Sequence, residues 1–125
     1  MVDLSGGPCL KKRIAGCGAG VEYVAVTPEG DIYPCHQFVG QEKMKMGSVV
    51  TGELNGDIRR MFADCTLLDK PACRECWAKY FCSGGCAANA YLYNGDIHQP
   101  YGRTCAFLQK RTELALGIYA AERLQ

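Results

Sequence analysis

Long apolar runs are missing from this chain. No stretch approaches the 18 or so apolar residues that a membrane-spanning helix requires. The longest uncharged run near the end, Leu114 to Ala121, is far too short. The start, MVDLSGGPCLKKR, carries an early Asp3 and no apolar core, so no export signal is expected there and the chain reads as cytoplasmic. An excess of one charge is also lacking: 14 basic residues stand against 13 acidic ones, a net +1. That balance gives no general field for nucleic acid, and Lys11-Lys12-Arg13 reads as a solvated patch. Large apolar side chains are few, Leu, Ile, Val and Phe supplying only 26 of 125 residues. No repeat, low-complexity tract or linker divides the chain, which argues for one domain over residues 1–125. A domain of this size buries only about two-thirds of its unfolded surface, so something besides apolar burial has to hold it together. Nine cysteines are the obvious candidate.

Fifteen glycines signal many turns. Residues 22–26 (EYVAV) are β-branched and aromatic, and TPEG followed by DIYPC completes a β-hairpin with Pro28-Glu29-Gly30 as its turn. Pro34 ends pairing on that side of the second strand. Gly40 to Gly56 is punctuated by glycine and reads as a loop with one short strand. DIRRMFAD (57–64) predicts a short helix capped by Asp57. CRECWAKYFC predicts one or two helical turns, and residues 86–93 a helix stopped by Asn94-Gly95. The final stretch, 106–124, predicts a docked helix with Phe107, Leu114, Ile118 and Ala121 on one face. The fold class is a small α+β domain: a hairpin, then short helices and loops, closed by a C-terminal helix.

The cysteines lie at 9, 17, 35, 65, 73, 76, 82, 86 and 105. In Cys73-x2-Cys76-x5-Cys82-x3-Cys86 the two-residue gap lets two thiolates turn onto one metal centre. The spacings of five and three bring further sulfurs back within a helical turn or two. Cys17 and Cys35 bracket the hairpin, and Cys105 immediately precedes the last helix. Outside an exporting context, cysteines point to metal rather than disulfides. Four thiolates serve either a structural zinc or an iron–sulfur cluster. A second Cys-x2-Cys, usual in a zinc ribbon, is missing, and nine cysteines exceed the needs of one zinc.

The pattern Cys17-x12-Gly30-x4-Cys35, then Cys73-x2-Cys76-x5-Cys82-x3-Cys86, a gap and Cys105, resembles the seven-cysteine signature of the SPASM domain. That domain is the C-terminal extension of many radical S-adenosylmethionine enzymes. The likeness covers about residues 9–120. GCGAGVEYVAVTPEGDIYPCHQFVG and CRECWAKYFCSGGCAANAY are similar to the maturases of SCIFF-type peptides, which join a cysteine sulfur to a backbone carbon as a thioether. The resemblance implies two auxiliary [4Fe–4S] clusters, one held by Cys73, Cys76, Cys82 and Cys105, the other by Cys17, Cys35 and Cys86. The fourth ligand of the latter is either Cys9 or a substrate thiol at an open iron. The implied partners are a radical S-adenosylmethionine catalytic core and a cysteine-rich precursor peptide, with no nucleic acid and no membrane.

One departure matters. The Cys-x3-Cys-x2-Cys triplet that binds S-adenosylmethionine's own cluster is absent: Cys82-x3-Cys86 begins it, but position 89 is asparagine. The chain therefore resembles a piece of a larger enzyme, or a stand-alone relative, and is not expected to make a radical by itself. S-adenosylmethionine belongs only to the missing core. Two other classes compete: a structural zinc module for protein interaction, and a small ferredoxin-like electron carrier acting in trans. Cys65 fits no slot in the pattern and reads as a spare thiol. Trp77, Tyr80 and Phe81 read as packing around the cluster, and Gly84-Gly85 as a close backbone approach to a sulfur. The charge of an anionic cluster gives Arg74 or Lys79 a partner, with a solvated role as the equal alternative. No Ser/His/Asp arrangement, phosphate loop or acid pair is present.

Overall fold

The computed structural model describes residues 9–124. The start of the chain, read above as lacking an export signal, lies mostly outside them. The described residues divide into two compact units, one of residues 17–66 and one of residues 9–16 with 67–124.

The first unit is built on a four-stranded antiparallel meander in the order β1-β2-β3-β4. Strands β1 (Ala25–Val26) and β2 (Asp31–Tyr33) form the predicted hairpin, with Ala25 opposite Tyr33 and Val26 opposite Ile32. Its turn is closed by Gly30 N–H donating to the Thr27 carbonyl at 2.9 Å. β1 is shorter than EYVAV suggested because the chain folds back just before it. Gly20 N–H donates to both the Tyr23 and Pro34 carbonyls at 2.9 Å, which brings the two ends of the hairpin together. The glycine-punctuated stretch holds two strands rather than one, β3 (Gly47–Ser48) and β4 (Glu53–Leu54). β3 pairs with β2 and with β4.

Met44, Met46 and Phe38 fill the core of this unit. Phe38 meets Phe62 edge-to-face at 5.4 Å, an arrangement worth about 0.5–1.5 kcal/mol beyond burial. Phe62 is carried by α2 (Gly56–Ala63). The cap of α2 is Asn55, not Asp57. The Asn55 side chain accepts from Asp57 N–H at 2.9 Å and Ile58 N–H at 3.3 Å. Asp57 falls instead in the first turn, where its carboxylate faces the positive end of the helix.

The second unit is helical: α1 (Leu10–Ala15), α3 (Pro71–Arg74), α4 (Lys79–Cys82), α5 (Ala87–Asn94) and α6 (Gly102–Arg123). α1 packs on α4, and α4 on α6. Leu67 N–H bonds the Ile14 carbonyl at 3.0 Å, joining the two stretches of chain that make the unit. Pro71 opens α3, where its missing N–H costs nothing, and Gly95 ends α5 in the left-handed conformation. Between α5 and α6, Asn94 Nδ2 donates to the Gln99 carbonyl at 2.8 Å while the Tyr93 and Tyr101 rings stack at 4.0 Å. The buried set is made mainly of small side chains: Ala78, Ala88 and Ala90, with Leu67 and Ile97. No helix among the described residues is long and apolar enough to cross a membrane.

The last helix corrects two expectations. It starts at Gly102, so Cys105 lies inside its first turn, Cys105 N–H bonding the Tyr101 carbonyl at 3.1 Å. Its apolar stripe is turned outward: Phe107, Leu114 and Ile118 are 66%, 58% and 62% exposed. The inward positions are Thr104, Cys105, Leu108, Gln109, Thr112, Ala115 and Tyr119, themselves a helical stripe. This side faces sulfur and small residues rather than a hydrocarbon core, so the hydrophobic period marked the wrong face.

Candidate metal centre

Each cysteine of the compact run sits at a local element that aims it. Cys73 is in α3, held one turn from Lys70 by its N–H bond to the Lys70 carbonyl at 2.9 Å. Cys76 follows in the turn, its N–H bonded to the Cys73 carbonyl at 3.0 Å. Cys82 closes α4, and Cys86 caps the start of α5. Between these last two, Ser83, Gly84 and Gly85 all take positive φ. That run curls the backbone so that the N–H groups of Gly85 and Gly84 donate to the Cys82 sulfur.

Four thiols line one cavity of about 300 Å³: Cys73, Cys76, Cys82 and Cys105. Ala72, Ala78, Pro100 and Leu108 supply much of the rest of its wall. This is the set that the family resemblance implies for one cluster. All nine cysteines stand as thiols. Among the described residues no three of His, Cys, Asp and Glu are disposed about a single ion. The four sulfurs are spread around the wall instead. Soft thiolates in such a ring suit an iron–sulfur cluster.

Burial pushes the thiols of Cys73, Cys82 and Cys105 above the ordinary cysteine value. The Lys70 charge pulls all three back, and at Cys82 the glycine N–H groups pull harder still. Gln109 Nε2, one turn beyond Cys105 on α6, donates to Cys76 Sγ at 3.3 Å. Donors of this kind steady a thiolate and tune what it ligates.

A pH dependence follows for the metal-free chain. Folding raises these thiol pKa values, so the folded state holds its protons more tightly than the unfolded one. The contribution is complete below the unfolded value of about 8.5 and is lost as pH climbs through it toward the folded ones. Urea unfolding near pH 7 and near pH 9.5 should show the metal-free chain less stable at the higher pH. Alanine at the three positions should flatten that difference, and an equal slope in the triple variant would contradict the assignment.

Cys86 stands outside the main cavity and borders a smaller one with Cys82, Cys105 and Asn89. Cys17 and Cys35 belong to the other unit, at the two ends of the hairpin. Cys17 is exposed and accepts from the Tyr23 hydroxyl at 3.8 Å, while Cys35 is buried. Cys9 is exposed at the start of α1. Cys65 is half-buried and lines none of these cavities.

The aromatic residues depart from expectation. Trp77 is 55% exposed, and Trp77, Tyr80 and Phe81 are not among the residues lining the cavity. Small side chains pack there because the sulfurs and backbone take the space. Of the two cations named from the sequence, Arg74 points to solvent and meets Glu75 at 3.6 Å, whereas Lys79 lines the cavity and its Nζ donates to the Arg74 carbonyl at 2.8 Å. The cation that sequence reasoning missed is Lys70, buried with 3% of its surface exposed. Its only signal is its place before Pro71, which holds it extended.

Comparison with known families bears on two of these four cysteines. Residues 17–77 match the SPASM family, an iron-sulfur cluster-binding domain. The match supports a SPASM domain here, and with it iron–sulfur cluster binding. The SPASM match takes in Cys17, Cys35, Cys73 and Cys76 and ends before Cys82, Cys86 and Cys105. The chain is also 28% identical over 115 residues to an uncharacterized protein of Archaeoglobus fulgidus. That alignment takes in 89% of this chain and 27% of the relative, so the chain spans about a quarter of that protein's length.

Proposed function

We propose that this chain is the auxiliary cluster-binding part of a longer radical S-adenosylmethionine enzyme that installs thioethers in a cysteine-rich ribosomal peptide. The observation that carries the reading is the cavity ringed by Cys73, Cys76, Cys82 and Cys105. In this reading that ring holds one [4Fe–4S] cluster, and Cys17, Cys35 and Cys86 hold a second. The position of Cys86 outside the main cavity supports the division of the run between two clusters. The length of the Archaeoglobus relative supports a larger parent protein, and the absent Cys-x3-Cys-x2-Cys triplet places radical formation in a catalytic partner rather than in these residues.

A cluster with three protein thiolates offers its remaining iron to a substrate thiol. A thiol bound to a metal loses its proton, and fixing that sulfur supplies the positioning part of catalysis. In the chain loaded with iron and sulfide without oxygen, a cysteine-bearing peptide should then shift the electron paramagnetic resonance spectrum of one cluster. The same peptide with serine should leave it alone. If Cys9 closes that site, the unmodified chain ignores the peptide and Cys9→Ala creates the response. Spectra indifferent to the peptide in both proteins would defeat thiol binding and leave electron transfer as the role.

A further inference from the structure

Lys70 is a buried ammonium without a buried counter-ion. Its Nζ donates to the Gly84 carbonyl at 3.0 Å. No carboxylate among the described residues lies within ion-pair distance of it. Asp96 lies within reach of its field, but that carboxylate is half-exposed and already bonded to His98 at 2.8 Å. An ammonium carries three donors, and a charge taken out of water needs a partner of opposite sign. Gly84, whose carbonyl holds the ammonium, lines the same cavity as Cys73, Cys76, Cys82 and Cys105. The Gly84 carbonyl that anchors Lys70 belongs to the same loop whose N–H groups hold the Cys82 sulfur. Gly84 has positive φ, and a Cβ added there would come within 3.3 Å of Leu67, so the anchoring loop favours glycine at this position.

We infer that Lys70 is a built-in counter-charge for the cluster ringed by Cys73, Cys76, Cys82 and Cys105, favouring its loading and its reduced state. The inference rests on the cluster reading of that ring. A [4Fe–4S] unit with four thiolates is net anionic and becomes more so when it takes an electron. A fixed positive charge beside it therefore stabilises the reduced form more than the oxidised one. Lys70 acts as a positioning and electrostatic residue and donates nothing to a substrate.

The test compares Lys70→Met, Lys70→Arg and Arg74→Met in the full chain, reconstituted with iron and sulfide without oxygen. Redox titration followed by electron paramagnetic resonance reads the ratio of reduced to oxidised cluster. Lys70→Met should lower that ratio at a fixed potential by at least about tenfold, ~59 mV for a one-electron couple. Lys70→Arg and the solvent-facing Arg74→Met should stay near the parent. The metal-free Lys70→Met chain should unfold at the parent's temperature or above, since an uncompensated buried charge has gone. Loss of iron in Lys70→Met with retention in Lys70→Arg supports the same conclusion. The inference is overturned if Lys70→Met binds iron and keeps the parent's midpoint, or if both Lys70 variants lose iron alike. A parent chain that takes up no iron defeats the cluster reading itself, and this inference with it.

Discussion

Cys105→Ala is expected to strip about half of the iron from the reconstituted chain on the two-cluster reading proposed above, because one cluster then loses a ligand. The effect should be large in stability as well. Cys105 lies in the first turn of α6, and the cavity it lines draws its other three thiols from α3, α4 and the turn between them. A cluster there therefore ties the longest helix to the short ones in a unit whose buried side chains are mostly small. Free energy of metal binding is folding free energy when the site exists only in the folded state, and reaches about 10 kcal/mol or more in small metal-held domains. Thermal unfolding of the loaded Cys105→Ala chain should thus fall between that of the loaded parent and that of the metal-free parent. Cys65→Ala, outside both cavities, should keep the parent's iron content. Equal iron in the parent and Cys105→Ala would remove Cys105 from the ligand set.

Gly47→Ala should cost about 3–5 kcal/mol, a large part of the 5–15 kcal/mol that holds a typical domain together. Gly47 sits in β3 at φ 149°. A Cβ there would overlap the Glu53 carbonyl oxygen and lie 2.8 Å from its carbon, both on the neighbouring backbone of β4. Backbone cannot swing aside as a side chain can, so the β3–β4 pair has to open. Gly40→Ala is the matched control. It also has positive φ, but open space around the added methyl, so only the backbone term of about 1–2 kcal/mol is expected. Urea denaturation of the two variants separates crowding from strain, and similar midpoints would show that the strand pair is not held by close approach.

The parts of the fold that could be read in advance were those with strong local chemistry. Val24, Ala25 and Val26 followed by Pro28-Glu29-Gly30 specify a hairpin because β-branching and turn residues agree. The ring of thiols was visible because three of its four members fall within ten residues, Cys73 to Cys82. Of β3 and β4 only one short strand was foreseen: strands of two residues leave no alternation to detect, and the core residues just before β3, Met44 and Met46, carry no strand preference. The inward face of α6 was hidden for a different reason. The cavity wall takes Cys105, Leu108 and Gln109 from this helix, while Phe107 is exposed. Lys70 escaped notice because a lysine is ordinarily solvated, and only the fold reveals that it is buried against the Gly84 carbonyl beside the cavity.

The central claim is that the cysteine ring holds iron and sulfide, and chemical analysis joined to Mössbauer spectroscopy of anaerobically prepared chain tests it most directly. The account predicts brown protein with iron and acid-labile sulfide in equal amounts, about four of each for every [4Fe–4S] cluster, and spectra typical of such clusters. Colourless protein carrying stoichiometric zinc and no sulfide would contradict it.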